Sequence, residues 1–127
     1  MFTTTGIDII EVNRIEEIIT EYGEIFLNKI FTKDEIKYCN ISNMHKYEKY
    51  AVRFAAKEAV FKALDIEDTT NISWKDIEIL NKQNKRPFVK LNGELTKYIE
   101  KIENIDISLS HIKETAIASV VVNWKEI

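Results

Sequence analysis

Cysteine occurs once in these 127 residues, at Cys39. An internal disulfide is therefore impossible, a zinc site built on several thiolates is excluded, and nothing points to an oxidising compartment. Proline also occurs once and glycine three times, so there is no Pro/Gly/Ser linker along which to divide the chain. No uninterrupted apolar run exceeds three residues, as in Val120-Val121-Val122, whereas a membrane span needs about 20. The opening Met1-Phe2-Thr3-Thr4-Thr5 has no basic segment and meets an acid at Asp8, so it does not read as a signal peptide. An excess of positive charge is missing too: 18 Lys and Arg face 21 Asp and Glu. A nucleic-acid binder usually shows a dominant basic patch, and this chain as a whole has none. These absences predict a small cytoplasmic protein with no membrane and no nucleic acid among its partners.

What is present suits a soluble globule: 45% hydrophobic and 31% charged residues, with no repeat or low-complexity tract. The length predicts a single domain over residues 1–127, able to bury about two-thirds of its unfolded surface. The net charge of −3 is unevenly spread. Residues 1–30 balance at −4 and residues 31–64 at +3, while residues 65–70 add three acids. The basic stretch suits either a solvated face or a small phosphorylated ligand.

Residues 3–10 read as a strand running through Gly6 to Asp8. Val12, Ile15, Ile18, Ile19 and Tyr22 follow at helical spacing, with Gly23 as the stop. A short helix is expected over 25–30. Thr32-Lys33-Asp34-Glu35 has the form of a capping box opening another, through about Asn40. Residues 45–64 give the longest helical pattern. The period then changes. Ile72, Trp74, Ile77 and Ile79 suggest a strand, residues 81–86 a turn, and 87–91 a returning strand. Leu95, Tyr98, Ile99 and Ile102 repeat like a short helix, and 106–110 and 116–123 read as two more strands. The order β-α-α-α-β-β-α-β-β predicts an α+β fold with a mainly antiparallel sheet packed on the long helix.

Three places carry chemistry. On the long helix, Tyr47, Tyr50, Phe54, Ala55 and Phe61 fall on one stripe, and Glu58 and Lys62 lie in its middle. Arg53 and Lys57 lie beside it. A carboxylate on a nonpolar face is costly unless paired, so Glu58–Lys62 reads either as an i,i+4 ion pair or as part of a site. Val52, Ala56, Ala59 and Val60 on the opposite edge suggest a helix buried nearly all round. Asp8 interrupts the apolar run of Ile7, Ile9 and Ile10 near a strand end, either as an acid facing a helix N-terminus or as a cleft residue. Two carboxylates on different elements suit Mg²⁺, with phosphate oxygens and water as its other ligands. The third place is Ser108-Leu109-Ser110-His111. Adjacent residues of a strand face opposite ways, and no Gly-rich elbow surrounds the serine, so a phosphate or hydroxyl contact fits better than a serine hydrolase.

Taken together, these features resemble the holo-acyl-carrier-protein synthases, the small bacterial type of 4′-phosphopantetheinyl transferase. The residues that carry the likeness are Gly6-Ile7-Asp8-Ile9 with Arg14, Phe54-Ala55-Ala56-Lys57-Glu58-Ala59 with Lys62, and Ser108-Leu109-Ser110-His111 followed by Ala116 and Ala118. Thr32–Glu35 and the Arg86-Pro87 turn fall in the family's order as well. The resemblance implies transfer of the phosphopantetheine arm of coenzyme A to a serine of an apo acyl carrier protein, with release of adenosine 3′,5′-bisphosphate, in fatty-acid biosynthesis. It implies that Asp8 and Glu58 hold Mg²⁺ against the coenzyme A pyrophosphate. Lys62 would stabilise charge on the phosphates and Arg53 would contact the coenzyme. It further implies a homotrimer with active sites between subunits, in which Arg86, Pro87, Ser110 and His111 of a neighbour hold the adenosine 3′-phosphate end. Arg14 would meet acids on the carrier. The base for the attacking hydroxyl stays open among Glu58, a metal-bound water and water-linked Glu35. The chain departs from the family pattern at Lys85, where a glycine is common, in the acidic stretch 65–70, and in a first helix that carries Glu16, Glu17, Glu21 and Glu24.

Overall fold

The computed structural model describes residues 2–66 and 68–126. Strand β1 (Phe2–Glu11) leads directly into helix α1 (Val12–Tyr22), which ends at Gly23 with φ 54°. Helices α2 (Glu24–Ile30) and α3 (Lys33–Cys39) follow, and then the long α4 (Lys46–Leu64). The capping box at the start of α3 forms as its sequence suggests: Thr32 Oγ1 accepts from the Glu35 amide, and Glu35 Oε1 accepts from the Thr32 amide. A single 3-10 turn (Trp74–Asp76) precedes the hairpin of β2 (Ile77–Asn81) and β3 (Pro87–Leu91). A longer 3-10 segment (Gly93–Lys101) then leads into β4 (Ile102–His111) and β5 (Thr115–Trp124).

β1, β5 and β4 form an antiparallel sheet in that order, and β2–β3 is a separate two-stranded hairpin. The α+β expectation holds, with two local corrections. Trp74 belongs to the 3-10 turn and not to a strand, because the Ser73 and Asp76 side chains cap that turn. Leu95 to Ile99 repeat at helical spacing in a 3-10 segment, and Ile102 already starts β4.

α4 is the axis of the molecule. On one side, its Ala55, Ala56, Ala59, Val60 and Ala63 share a core with the three-stranded sheet and the hairpin. On the other, Tyr50, Ala51 and Val52 share a second core with α1, α2 and α3. It is thus buried nearly all round, as the sequence suggests. That burial also corrects the helical-wheel placement. Lys57, expected beside the apolar stripe, is fully buried, whereas Lys62, expected in its middle, is exposed. Cys39 is buried too. Burial pushes its thiol up to about 12, so it is a packing residue and not a nucleophile.

The small residues of α4 allow β1 to approach it at backbone distance. A Cβ on Gly6 would lie 1.9 Å from the Ala59 carbonyl oxygen, a backbone atom that cannot swing aside. Gly6→Ala must therefore push β1 off α4, and we expect a loss of about 3 kcal/mol in urea unfolding, at the upper end for overpacking. An unchanged midpoint would mean that strand and helix part without cost.

The outer face of the three-stranded sheet exposes several large apolar side chains. Ile7 is 59% exposed, Ile9 64% and Val121 38%. They alternate with the inward Gly6 and Ile10 on β1 and Val120 and Val122 on β5.

Candidate active site

The close approach of β1 to α4 determines what faces what. Asp8 lies two residues beyond Gly6 and so shares its inward face. There it meets Lys62 of α4, whose Nζ donates to Asp8 Oδ1 (3.2 Å) and to the Ile7 carbonyl (3.0 Å). Lys62 thus pairs with Asp8 across elements, where the sequence alone suggests an i,i+4 partner in Glu58. Glu58, one helical turn before Lys62, is partly buried. Burial raises the pKa of its carboxyl, the Asp8 carboxylate raises it further, and Lys62 partly offsets both. Two carboxylates and one ammonium therefore share a small volume in which the second negative charge is under-compensated.

Glu58 also lines a cavity of about 370 Å³, together with Phe61, Thr69, Ile72, Ser73, Trp74 and Ile77. Trp74 is held against Phe54 of α4, ring centroids 5.3 Å apart and nearly parallel. From beneath, Lys57 Nζ donates to the carbonyls of Trp74 and Ile77 and to Glu35 Oε1 (2.8 Å). The Glu35 carboxylate accepts two further hydrogen bonds, from the Thr32 amide (2.9 Å) and from the Ile79 amide (2.9 Å), and the second ties α3 to β2. Both members of the Glu35–Lys57 pair are fully buried. That removes Glu35 from the candidates for a base, because its oxygens are occupied and shut off from solvent.

A second cavity, also of about 370 Å³, opens elsewhere around α4 and gathers Arg53, Arg86, Pro87 and His111. Three residues that the resemblance assigns to the adenosine end, Arg86, Pro87 and His111, thus share one hollow with Arg53, which it assigns to the coenzyme without naming an end. Ser110 is not part of its lining. Ser108, two residues earlier on the exposed face of β4, takes that place. Lys49 also lines it and is absent from the sequence assignment, although its i,i+4 relation to Arg53 along α4 could have revealed it. Arg14 lies apart from both cavities. It is exposed on α1, beside a hollow formed with Ile9, Ile10, Glu11 and Thr115.

Carboxylate oxygens on two rigid elements, an ammonium against one of them and an adjoining cavity suit a hard divalent cation with a phosphorylated ligand. Comparison with known proteins gives the family. A profile of the 4′-phosphopantetheinyl transferase superfamily matches residues 4–120. The chain belongs to that superfamily.

This transferase is 41% identical over 120 residues to the holo-[acyl-carrier-protein] synthase of Ruminiclostridium cellulolyticum, covering 93% of this chain and 90% of the relative. Its fold superposes on the Helicobacter pylori holo-[acyl-carrier-protein] synthase in complex with coenzyme A, with TM-score 0.81 and 34% identity over 94% of this chain and 99% of the other. The Bacillus anthracis synthase in complex with CoA (3′,5′-ADP) matches with TM-score 0.76 and 33% identity, covering 94% of each chain.

Two of this transferase's own departures acquire a structural meaning. Lys85 sits at φ 68°, the left-handed region that favours glycine. Lys85→Gly is therefore expected to raise stability by about 0.5–1 kcal/mol, read from the thermal midpoint, after the unfolded-state entropy of glycine is subtracted. In the acidic stretch, Asp68 turns back on its own loop. Its Oδ1 accepts from the Thr70 amide (3.0 Å) and hydroxyl (2.6 Å), which holds its carboxyl below the usual range. Glu67 lies outside the described residues.

Proposed function

We propose that this chain transfers the 4′-phosphopantetheine arm of coenzyme A to a serine of an apo acyl carrier protein, serving fatty-acid biosynthesis in the cytoplasm. The observation that carries the reading is the grouping of Asp8, Glu58 and Lys62 beside a cavity. The serine oxygen attacks the phosphorus that bears the pantetheine. The bond from that phosphorus to the bridging pyrophosphate oxygen breaks, and adenosine 3′,5′-bisphosphate leaves with the bonding pair.

Asp8 and Glu58 are the residues that would hold Mg²⁺. Bound there, the ion supplies neutralisation of pyrophosphate charge and a fixed orientation for its oxygens. The like-charge strain on Glu58 is what a cation at this position would relieve. Lys62, half exposed, can follow the charge that develops on the leaving phosphate. Phosphoryl transfer asks for position and charge neutralisation more than for covalent help, and these side chains provide both. The serine proton passes to Glu58 or to water. Arg14, exposed on α1, would meet carrier acids.

Arg53, Arg86, Pro87 and His111 would hold the adenosine 3′-phosphate end, with Ser108 in the place that the resemblance gives to Ser110. Within one chain, Arg53 and Glu58 are five residues apart on α4, about 140° around the helix, and line different cavities. Pairing the Glu58 side of one subunit with the Arg53 side of its neighbour would complete one coenzyme site in a closed ring, which the family resemblance makes a homotrimer. The exposed Ile7, Ile9 and Val121 supply an apolar face for such association. Co-expressed Glu58→Gln and Arg53→Ala chains, assayed at coenzyme A far below the KM of the arginine variant so that each alone turns over little, are then expected to recover about a quarter of wild-type activity, because random assembly pairs two intact half-sites that often. No recovery from mixed oligomers would place each site within one subunit.

The direct experiment is intact-protein mass spectrometry of apo acyl carrier protein incubated with this protein, coenzyme A and Mg²⁺. A mass gain of one phosphopantetheine arm, abolished by EDTA, is expected. Coenzyme A binding without any gain on several carriers would overturn the transferase reading.

A further inference from the structure

Arg53 is 3% exposed, and its Nε is buried with no hydrogen-bond partner among the described residues. A buried guanidinium with an open donor is costly unless something completes it. Two side chains hold the group still. The Tyr38 ring lies against its face, with Cζ 4.1 Å from the ring centroid. Nη2 donates to Asn81 Oδ1 at 2.5 Å. Asn81 does more than accept: its Nδ2 donates to the Lys85 carbonyl (2.9 Å), in the turn that carries Arg86. One amide thus links the guanidinium on α4 to the loop that bears the second guanidinium.

The surroundings point to what completes Arg53. Lys49, Arg53 and Arg86 line the same cavity, and no carboxylate lines it among the described residues. Lys49 Nζ stands 5.5 Å from the centroid of the same Tyr38 ring. Three cations around one hollow repel each other until an anion enters, and a tetrahedral oxyanion matches two guanidinium forks. Fixing Arg53 before binding removes the rotamer entropy that a free arginine would lose on contact.

We infer that Tyr38 and Asn81 are positioning residues that hold Arg53 as the selective contact for a phosphomonoester dianion, so that they determine discrimination between coenzyme A and its 3′-dephospho form. The inference rests on the transferase reading above and extends it to two residues that line the same cavity and act on the anion through Arg53. A merely structural role for either side chain would lower stability and affect both substrates alike.

Steady-state transfer to an acyl carrier protein, measured with coenzyme A and with 3′-dephospho-coenzyme A, separates the possibilities. Asn81→Ala and Tyr38→Leu are each expected to raise KM for coenzyme A about tenfold with kcat held, and to leave KM for the dephospho form unchanged. Tyr38→Phe, which keeps the ring, retains wild-type discrimination. Adding Asn81→Ala to Arg53→Ala costs nothing further, since the residue being positioned is already gone. Discrimination intact in wild type and in every folded variant overturns the positioning role and leaves the transferase reading standing. Transfer by wild type without discrimination overturns the assignment of the anion to this cavity, and the inference with it. If wild type transfers nothing, the transferase reading fails, and calorimetry with adenosine 3′,5′-bisphosphate against adenosine 5′-monophosphate decides the inference alone. Selective loss of the bisphosphate in Asn81→Ala supports it, and equal binding of the two nucleotides overturns it.

Discussion

Glu58→Gln is expected to lose transfer activity by about 10²–10³-fold or more while the metal-free protein melts higher than wild type at neutral pH. Both halves come from one feature. The glutamate carboxyl is partly buried and shares its space with Asp8, so its pKa is raised. A group whose folded pKa exceeds its unfolded value binds more protons in the native state, so stability falls as pH rises through the folded pKa. At neutral pH, above the unfolded value, Glu58 therefore opposes folding, and the amide removes that opposition. The stabilisation should shrink as pH falls through the raised pKa, where the wild-type carboxyl protonates. Turnover followed by carrier mass shift and melting followed by circular dichroism check the two halves separately. Wild-type turnover in this variant would remove Glu58 from the reaction. An unchanged melting profile would show that Asp8 and Glu58 do not strain each other.

Lys57→Met is expected to cost about 3–5 kcal/mol in urea unfolding at neutral pH, although the new side chain fills much of the same space. The reason is what it leaves behind. Glu35 is fully buried, and its ion-pair partner at 2.8 Å would be gone. The Trp74 and Ile77 carbonyls would also lose their donor. Burial pulls the lysine itself below the usual range, with Glu35 acting in the opposite direction, so the charged pair depends on both members being present. Adding Glu35→Gln should recover part of the loss, because an amide tolerates isolation in the core better than a carboxylate does. A single variant as stable as wild type would mean that water reaches Glu35.

The contrast between these two sites shows what a linear sequence exposes. Asp8, Glu58 and Lys62 were legible because each breaks an apolar pattern, and a charge out of pattern is visible without knowing its partner. The α+β order and the capping box at Thr32 were legible for the same reason, since period and caps are local. Lys57 was misjudged because α4 has no solvent side at that level, and its partner Glu35 lies 22 residues away. The support of Arg53 was hidden in the same way. Tyr38 and Asn81 have no motif, and only the packing of α3 and β2 around α4 brings them to the guanidinium. Trp74 looked like a strand residue because a single 3-10 turn is too short to impose a period of its own.

The backbone contact at Gly6 bears on how such a protein can diverge. Asp8 is delivered to α4 by a strand with no room between itself and the helix, so that half of the site has the stiffness of the core. The other half leans on a turn whose Lys85 already occupies a glycine conformation, and on α3. Substitutions that retune the proposed grip on the coenzyme can accumulate in the turn without reaching the core. Substitutions that move the carboxylates must pass through β1 and α4, where they unsettle folding first. On the proposed reading, the chain pairs one stiff half-site with one adjustable half-site, and lineages should differ mainly in the second.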